Sequence, residues 1–122
     1  MTNKHTDPNR QDPLFMICPF TTTSRVVSGK WAVLVLHFLK DGPKRFGQLK
    51  KLLPGIAETT LTKQLRQLEK DKLIEREIYP EVPPRVEYRL SQQGEAFKKV
   101  LDSIEEWGTN YIEFLEQEET RI

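Results

Sequence analysis

The stretch AETTLTKQLRQLEKDKLIEREIYPEVPPRVEY, residues 57–88, decides how this chain folds. Leu61, Leu65 and Leu68 recur at helical spacing and so share one face of a helix. At about 100° per residue, Thr59, Lys63, Arg66 and Lys70 fall on the opposite face, flanked by Thr62 and Gln67. That outer face carries hydroxyls, amides and cations, and meets no carboxylate until the flanking Glu69 and Asp71. A helix that hides leucines and shows such groups suits a DNA major groove, where base edges offer hydrogen-bond partners to each of them. A plain solvated helix face competes with that reading, because Lys and Arg occur on any surface. After the helix, Leu73 to Tyr79 is rich in β-favouring residues. Arg85 to Leu90 alternates, with Val86, Tyr88 and Leu90 on one side and Arg85, Glu87 and Arg89 on the other. Between them Pro80-Glu81-Val82-Pro83-Pro84 cannot continue a hydrogen-bonded ladder and must form a hairpin tip.

Working outward, residues 1–13 are polar with no apolar residue after Met1, and read as a mobile arm. Leu14 to Ile17 is a short apolar run. Pro19 then suits the first position of a helix reaching about Val27, broken by Ser28-Gly29. Lys30 to Lys40 is apolar nearly all round, the signature of a buried central helix, and Asp41-Gly42-Pro43 ends it. Lys44-Arg45-Phe46 is a candidate for a very short strand. Phe46, Leu49, Leu52 and Leu53 mark a third helix, stopped by Pro54-Gly55. The outward-facing helix follows, from about Glu58 to Lys72. Ser91 is a fair N-cap for a last helix carrying Phe97, Val100, Leu101, Ile104, Trp107, Tyr111, Phe114 and Leu115. The order is helix, helix, short strand, helix, helix, strand, strand, long helix. It defines a mainly α (α+β) winged helix-turn-helix with a two-stranded wing and a long C-terminal helix. Residues 14–122 form one domain, in which 91–122 and 14–28 are the expected dimerisation helices.

Hydrophobic residues make up 37% and charged residues 30% of the 122, a water-soluble composition with a modest core. Neither a long apolar span nor a signal peptide is visible, so the expected location is cytoplasmic, with no membrane partner. The formal net charge is only +1, but residues 1–90 hold 16 Lys+Arg against 10 Asp+Glu, and residues 91–122 hold 3 against 8. A basic body with an acidic tail bears on partners rather than on fold. Cys18 is the only cysteine, which rules out an intrachain disulfide. Only His5 and His37 could join it at a metal and none shares a ligand spacing, so no metal and no cofactor is expected. His37 reads as a half-buried packing residue. No Ser/His/Asp set, paired-carboxylate pocket or Gly-rich phosphate loop supports an enzyme.

Five segments resemble the HxlR family of bacterial transcription regulators, distant relatives of the MarR type: CPF at 18–20, GKW at 29–31, DGPKRFGQLKKLLPGI at 41–56, LTKQLRQLEKDKLIER at 61–76 and YPEVPPRVEYRLSQQG at 79–94. The resemblance implies a homodimeric, sequence-specific DNA-binding repressor or activator whose terminal helices make the dimer. Several members of the family use the cysteine of the CP motif to sense electrophiles or oxidants, and Cys18 occupies that place.

The expected partners are double-stranded DNA and a second copy of the chain. Thr59, Thr60, Thr62, Lys63 and Arg66 are the candidates for base contact, since the N-terminal part of such a helix enters the groove deepest. Lys30, Lys44, Arg45, Gln67, Lys70 and Arg85 are candidates for the DNA backbone or minor groove. For Arg85 the competing role is ion pairing with Glu81 or Glu87. The dimer candidates are Phe15, Ile17, Leu101, Ile104, Trp107, Tyr111, Phe114 and Leu115. A lone small domain leaves such a stripe wet, and a two-fold dimer covers it; packing against the chain's own Leu14 to Ile17 is the alternative. Cys18 at a helix start has the amide dipoles that favour a thiolate, against the alternative of an inert core cysteine. A winged-helix module that binds protein and not DNA stays open as a second function class.

Overall fold

The leucines that set the helical period are the ones the fold buries. Leu61, Leu65 and Leu68 are each 2% exposed or less, and they pack with Ala32, Val35, Leu36, Leu39, Leu49, Leu53, Ile56, Leu73, Ile74, Leu90 and Leu101 in one core. Truncating any one of these leucines to alanine typically costs about 2–5 kcal/mol. The computed structural model describes residues 12–121, which form helices α1 (Pro19–Val26), α2 (Gly29–Phe38), α3 (Phe46–Leu52) and α4 (Glu58–Lys70), strands β1 (Ile74–Tyr79) and β2 (Arg85–Leu90), and helices α5 (Gln92–Ala96) and α6 (Lys98–Thr120). Among these residues no helix is long and apolar enough to cross a membrane. Residues 1–11 of the expected arm lie outside the described residues. Its end is tied down: the Asp12 carboxylate accepts from the Leu14 amide at 2.8 Å and pairs with Arg25 at 3.4 Å.

Central helix α2 buries Ala32, Val35 and Leu36 and keeps Trp31, Val33, Leu34 and Phe38 half-buried, as its near-continuous apolar pattern requires. His37 is half-buried with its ring edge-on to Phe38 at 4.9 Å. The chain enters α2 through Gly29 at φ +78°, a left-handed conformation that costs glycine nothing. Helix α3 opens with the Arg45 amide donating to Gln48 Oε1 at 2.7 Å. The expected strand at 44–46 contracts to one bridge, in which Lys44 and Tyr88 exchange backbone hydrogen bonds of 2.9 and 2.8 Å on the outer edge of β2.

Helix α4 stops at Lys70, two residues before the sequence pattern does. The Lys72 amide bonds to the Glu69 carbonyl and the Leu73 amide reaches back to Leu68, a Schellman motif sealed by the two buried leucines. Lys72 therefore sits at φ +68°, where glycine is usual. Strands β1 and β2 pair antiparallel from Ile74↔Leu90 to Tyr79↔Arg85, leaving residues 80–84 as the tip. Ser91 caps the next helix as expected. Its hydroxyl accepts from the Gly94 amide at 3.1 Å and donates to the Lys72 carbonyl, which ties the wing base to the end of α4.

The single C-terminal helix expected from 91 onward is two. At Phe97 the turn tightens: its amide bonds to the carbonyls of both Gln93 and Gly94, and Val100 returns to Phe97. The break follows packing. Gly94 lies so close to the Leu73 carbonyl and Leu90 that no side chain fits, and α6 must leave in a new direction to lay Phe97 and Leu101 on the core. Lys40 pairs with Asp102 at 3.5 Å and with Glu105 at 4.0 Å, pinning the start of α6; beyond it the helix projects into solvent.

Candidate nucleic-acid interface

With its leucines inside, α4 turns Thr59, Lys63, Arg66 and Lys70 to solvent, while Thr60, Thr62 and Gln67 are half-buried. Gln67 is partly engaged, donating to Asp71 Oδ2 at 3.0 Å. Lys63, Arg66, Gln67 and Lys70 form one wall of a groove of about 480 Å³, and Arg25 and Ser28 form the facing wall. Sequence reasoning missed Arg25, because it comes from the end of α1 and no spacing links it to α4. Four cations on two helices, Arg25 among them paired with Asp12, give this groove a net positive charge that suits a polyanion.

The other anchoring candidates are scattered by the fold. Lys30 is exposed, its ammonium 4.4 Å over the Trp31 ring. Lys44 is half-buried, with Nζ 3.5 Å from the Gly42 carbonyl. Arg45 is exposed at the start of α3.

At Arg85 the competing pairing is the one that forms. Its guanidinium is held by Glu81 at 2.9 Å and by Glu87, and lies 3.8 Å over the Tyr79 ring. These bonds from Glu81 and then Glu87 hold its pKa above the usual arginine value, and the same bond holds the Glu81 carboxyl below the usual carboxylate range. At the other end of that face, Arg89 is held by Glu77 and Glu75, and the Glu77 carboxyl is likewise lowered by the Arg89 bond.

The expected dimer residues divide. Leu101 is corrected: at 4% exposure it belongs to the chain's own core, because the break at Phe97 rotates it inward. Ile104, Trp107, Tyr111, Phe114 and Leu115 are all exposed. Trp107 stacks on Tyr111 at 4.8 Å and Tyr111 on Phe114 at 5.9 Å, which makes an aromatic ladder along α6. Ile17 is 75% exposed and Phe15 half-buried, so the alternative of satisfying this ladder within the chain is not what the fold does. Phe20 at 86% exposure joins the same apolar set and was not singled out from sequence.

Cys18 is half-buried at the N-cap of α1. The thiol makes no capping hydrogen bond. The Thr21 amide, the Thr21 hydroxyl and the Phe20 amide nevertheless face it and lower its pKa, outweighing slight burial and the charge of Asp12.

Residues 26–116 match the family model for the HxlR-like helix-turn-helix. The Bacillus subtilis strain 168 protein named "Uncharacterized HTH-type transcriptional regulator YdeP" is 45% identical over 94 residues, 77% of this chain and 73% of its own. The reduced form of the redox regulator HypR has a TM-score of 0.78 at 37% identity, over 82% of this chain and 99% of that one; the oxidized form gives 0.73 at 39%, over 76% and 96%. Diamide-treated YodB from B. subtilis gives 0.66 at 32%, over 79% and 96%. By this match and these relatives, the chain belongs to the HxlR-like helix-turn-helix family of transcriptional regulators.

Proposed function

We propose that this regulator acts in the cytoplasm as a homodimer that binds a palindromic operator in sequence-specific fashion, most simply as a repressor. The observation that carries the reading is the outer face of α4, which is cationic and hydroxyl-rich and is left uncovered while the opposite face is locked in the core. Thr59, Thr60, Thr62, Lys63 and Arg66 supply base contacts, and Lys30, Lys44, Arg45, Gln67 and Lys70 anchor phosphates. The α6 ladder and the Leu14–Ile17 run meet their copies across a two-fold axis, setting two recognition helices about one DNA turn apart. Cys18 senses oxidants or electrophiles; its lowered pKa supports this, as does the likeness to HypR, itself a redox regulator.

Selection of bound sequences from random duplexes supplies the operator, and anisotropy titrations over a range of salt test the reading. A steep negative salt slope is expected. Arg66→Ala weakens the selected duplex by about 1–3 kcal/mol and a scrambled duplex less; an equal loss on both makes Arg66 a phosphate contact. A protein-binding module instead shows no salt-dependent affinity for either duplex. Diamide treatment of wild type and Cys18→Ser tests the sensor: identical responses remove it.

A further inference from the structure

The two faces of the wing carry opposite electrostatics. One face holds Glu75, Glu77 and Glu87 with Arg85 and Arg89, and with Glu81 at the tip its carboxylates outnumber its cations. Both arginines there are each held by two carboxylates. The other face, the one whose Ile74 and Leu90 enter the core, holds Arg76 directly across from Tyr88. Among the described residues Arg76 is the arginine of the wing held by no carboxylate at hydrogen-bond distance; it ion-pairs loosely with Glu69, whose Oε2 lies 3.7 Å from its Nε. Arg76, Tyr88, Glu69, Thr62 and Arg66 line a polar recess of about 260 Å³ in the elbow between α4 and the hairpin.

The chemistry of the recess is that of an anion site. Two guanidiniums outweigh one carboxylate. The Tyr88 phenol is protonated near neutral pH and so donates; partial burial pushes its pKa further up, and Arg76, Glu69 and Arg66 lie close enough to act on it. Thr62 adds a hydroxyl. A duplex lying along α4 presents its phosphate backbone to this elbow, whereas the carboxylate-rich face of the wing repels it. We propose that the recess clamps one backbone phosphate of duplex DNA, gripped by Arg76 and Tyr88 from the wing beside the recognition helix. The clamp rests on the DNA-binding reading above and adds Arg76 and Tyr88 to the interface. It fixes the angle of the wing to the helix, and Glu69 attenuates it.

Anisotropy titrations of wild type, Arg76→Gln, Tyr88→Phe and Glu69→Gln against the selected and a scrambled duplex test the clamp. Arg76→Gln should weaken both duplexes equally, by roughly tenfold, and flatten the salt slope by about 1. Tyr88→Phe should cost about threefold. Glu69→Gln should tighten both duplexes, whereas if the Arg76–Glu69 pair merely braced the wing, Glu69→Gln would weaken them as Arg76→Gln does, and that result overturns the clamp. In a series of duplexes each carrying one neutral methylphosphonate, one position should cost wild type its affinity and cost Arg76→Gln nothing further. The clamp is wrong if no such shared position exists or if Arg76→Gln leaves affinity and slope unchanged. If wild type binds neither duplex, the DNA-binding reading falls and the clamp with it.

Discussion

Trp107→Ala should dissolve the proposed dimer while leaving the protomer folded. Trp107 is 67% exposed at the first rung of the α6 aromatic ladder and is not among the residues packed on the core. A tryptophan carries about 250 Å² of surface, so roughly 170 Å² stays wet in the single chain. At about 25 cal/mol per Å², covering it is worth about 4 kcal/mol per copy and about 8 for a symmetric pair. Ordering the side chain takes back about 0.5–1.5 kcal/mol per copy. Alanine retains part of the area as well, which leaves a loss of about 5 kcal/mol, or roughly a 10³–10⁴-fold rise in the dimer dissociation constant. Sedimentation velocity from nanomolar to micromolar protein reads this directly, with Val82→Ala at the fully exposed wing tip as the control. Circular dichroism should show a folded monomer. If Trp107→Ala sediments as the same dimer as wild type, or wild type is itself monomeric at high micromolar concentration, the assignment of α6 as the dimer face is wrong.

Other variants test other parts of the argument. Lys72→Gly should raise stability by about 0.5–1 kcal/mol in thermal melts, because glycine takes the left-handed position that closes α4 without strain; no gain would mean that unfolded-chain entropy offsets the relief. Arg85→Ala should leave the salt slope of DNA binding unchanged where Lys30→Ala flattens it, since Arg85 is already neutralised by Glu81 and Glu87. Iodoacetamide alkylation of Cys18 should show a midpoint below that of an ordinary cysteine, because a lowered thiol pKa leaves more thiolate at any given pH. Thr21→Val should move that midpoint up, as it removes the hydroxyl and leaves the amides.

Much of the fold was legible in residues 57–94. Periodicity of 3.6 placed the leucines of α4, alternation placed β2, three prolines placed the tip and Ser91 placed a cap, because each of these signals is local backbone and burial chemistry. The outward set on α4 was legible for the same reason: once one face is buried, the other is known. Boundaries that depend on tertiary contact were not. Nothing in the pattern after Ser91 says that Gly94 must press against the Leu73 carbonyl, so neither the break at Phe97 nor the inward turn of Leu101 could be read. The αL closure at Lys72 lacks the glycine that would have announced it.

The sequence by itself determined the element order, the buried leucine stripe and the type of surface that α4 shows, since short-range sterics and hydrophobic period act within a few residues. Only the tertiary structure decided which cations are available. Arg85 and Arg76 look alike in one hairpin, yet Glu81 of the tip and Glu87 of its own strand hold the first, while register sets the second across from Tyr88 beside the recognition helix. Arg25, distant in the chain, lines the groove of α4 from the end of α1. Charge strength depends on distance and surroundings in three dimensions, and those are properties of the packed chain rather than of its order of residues.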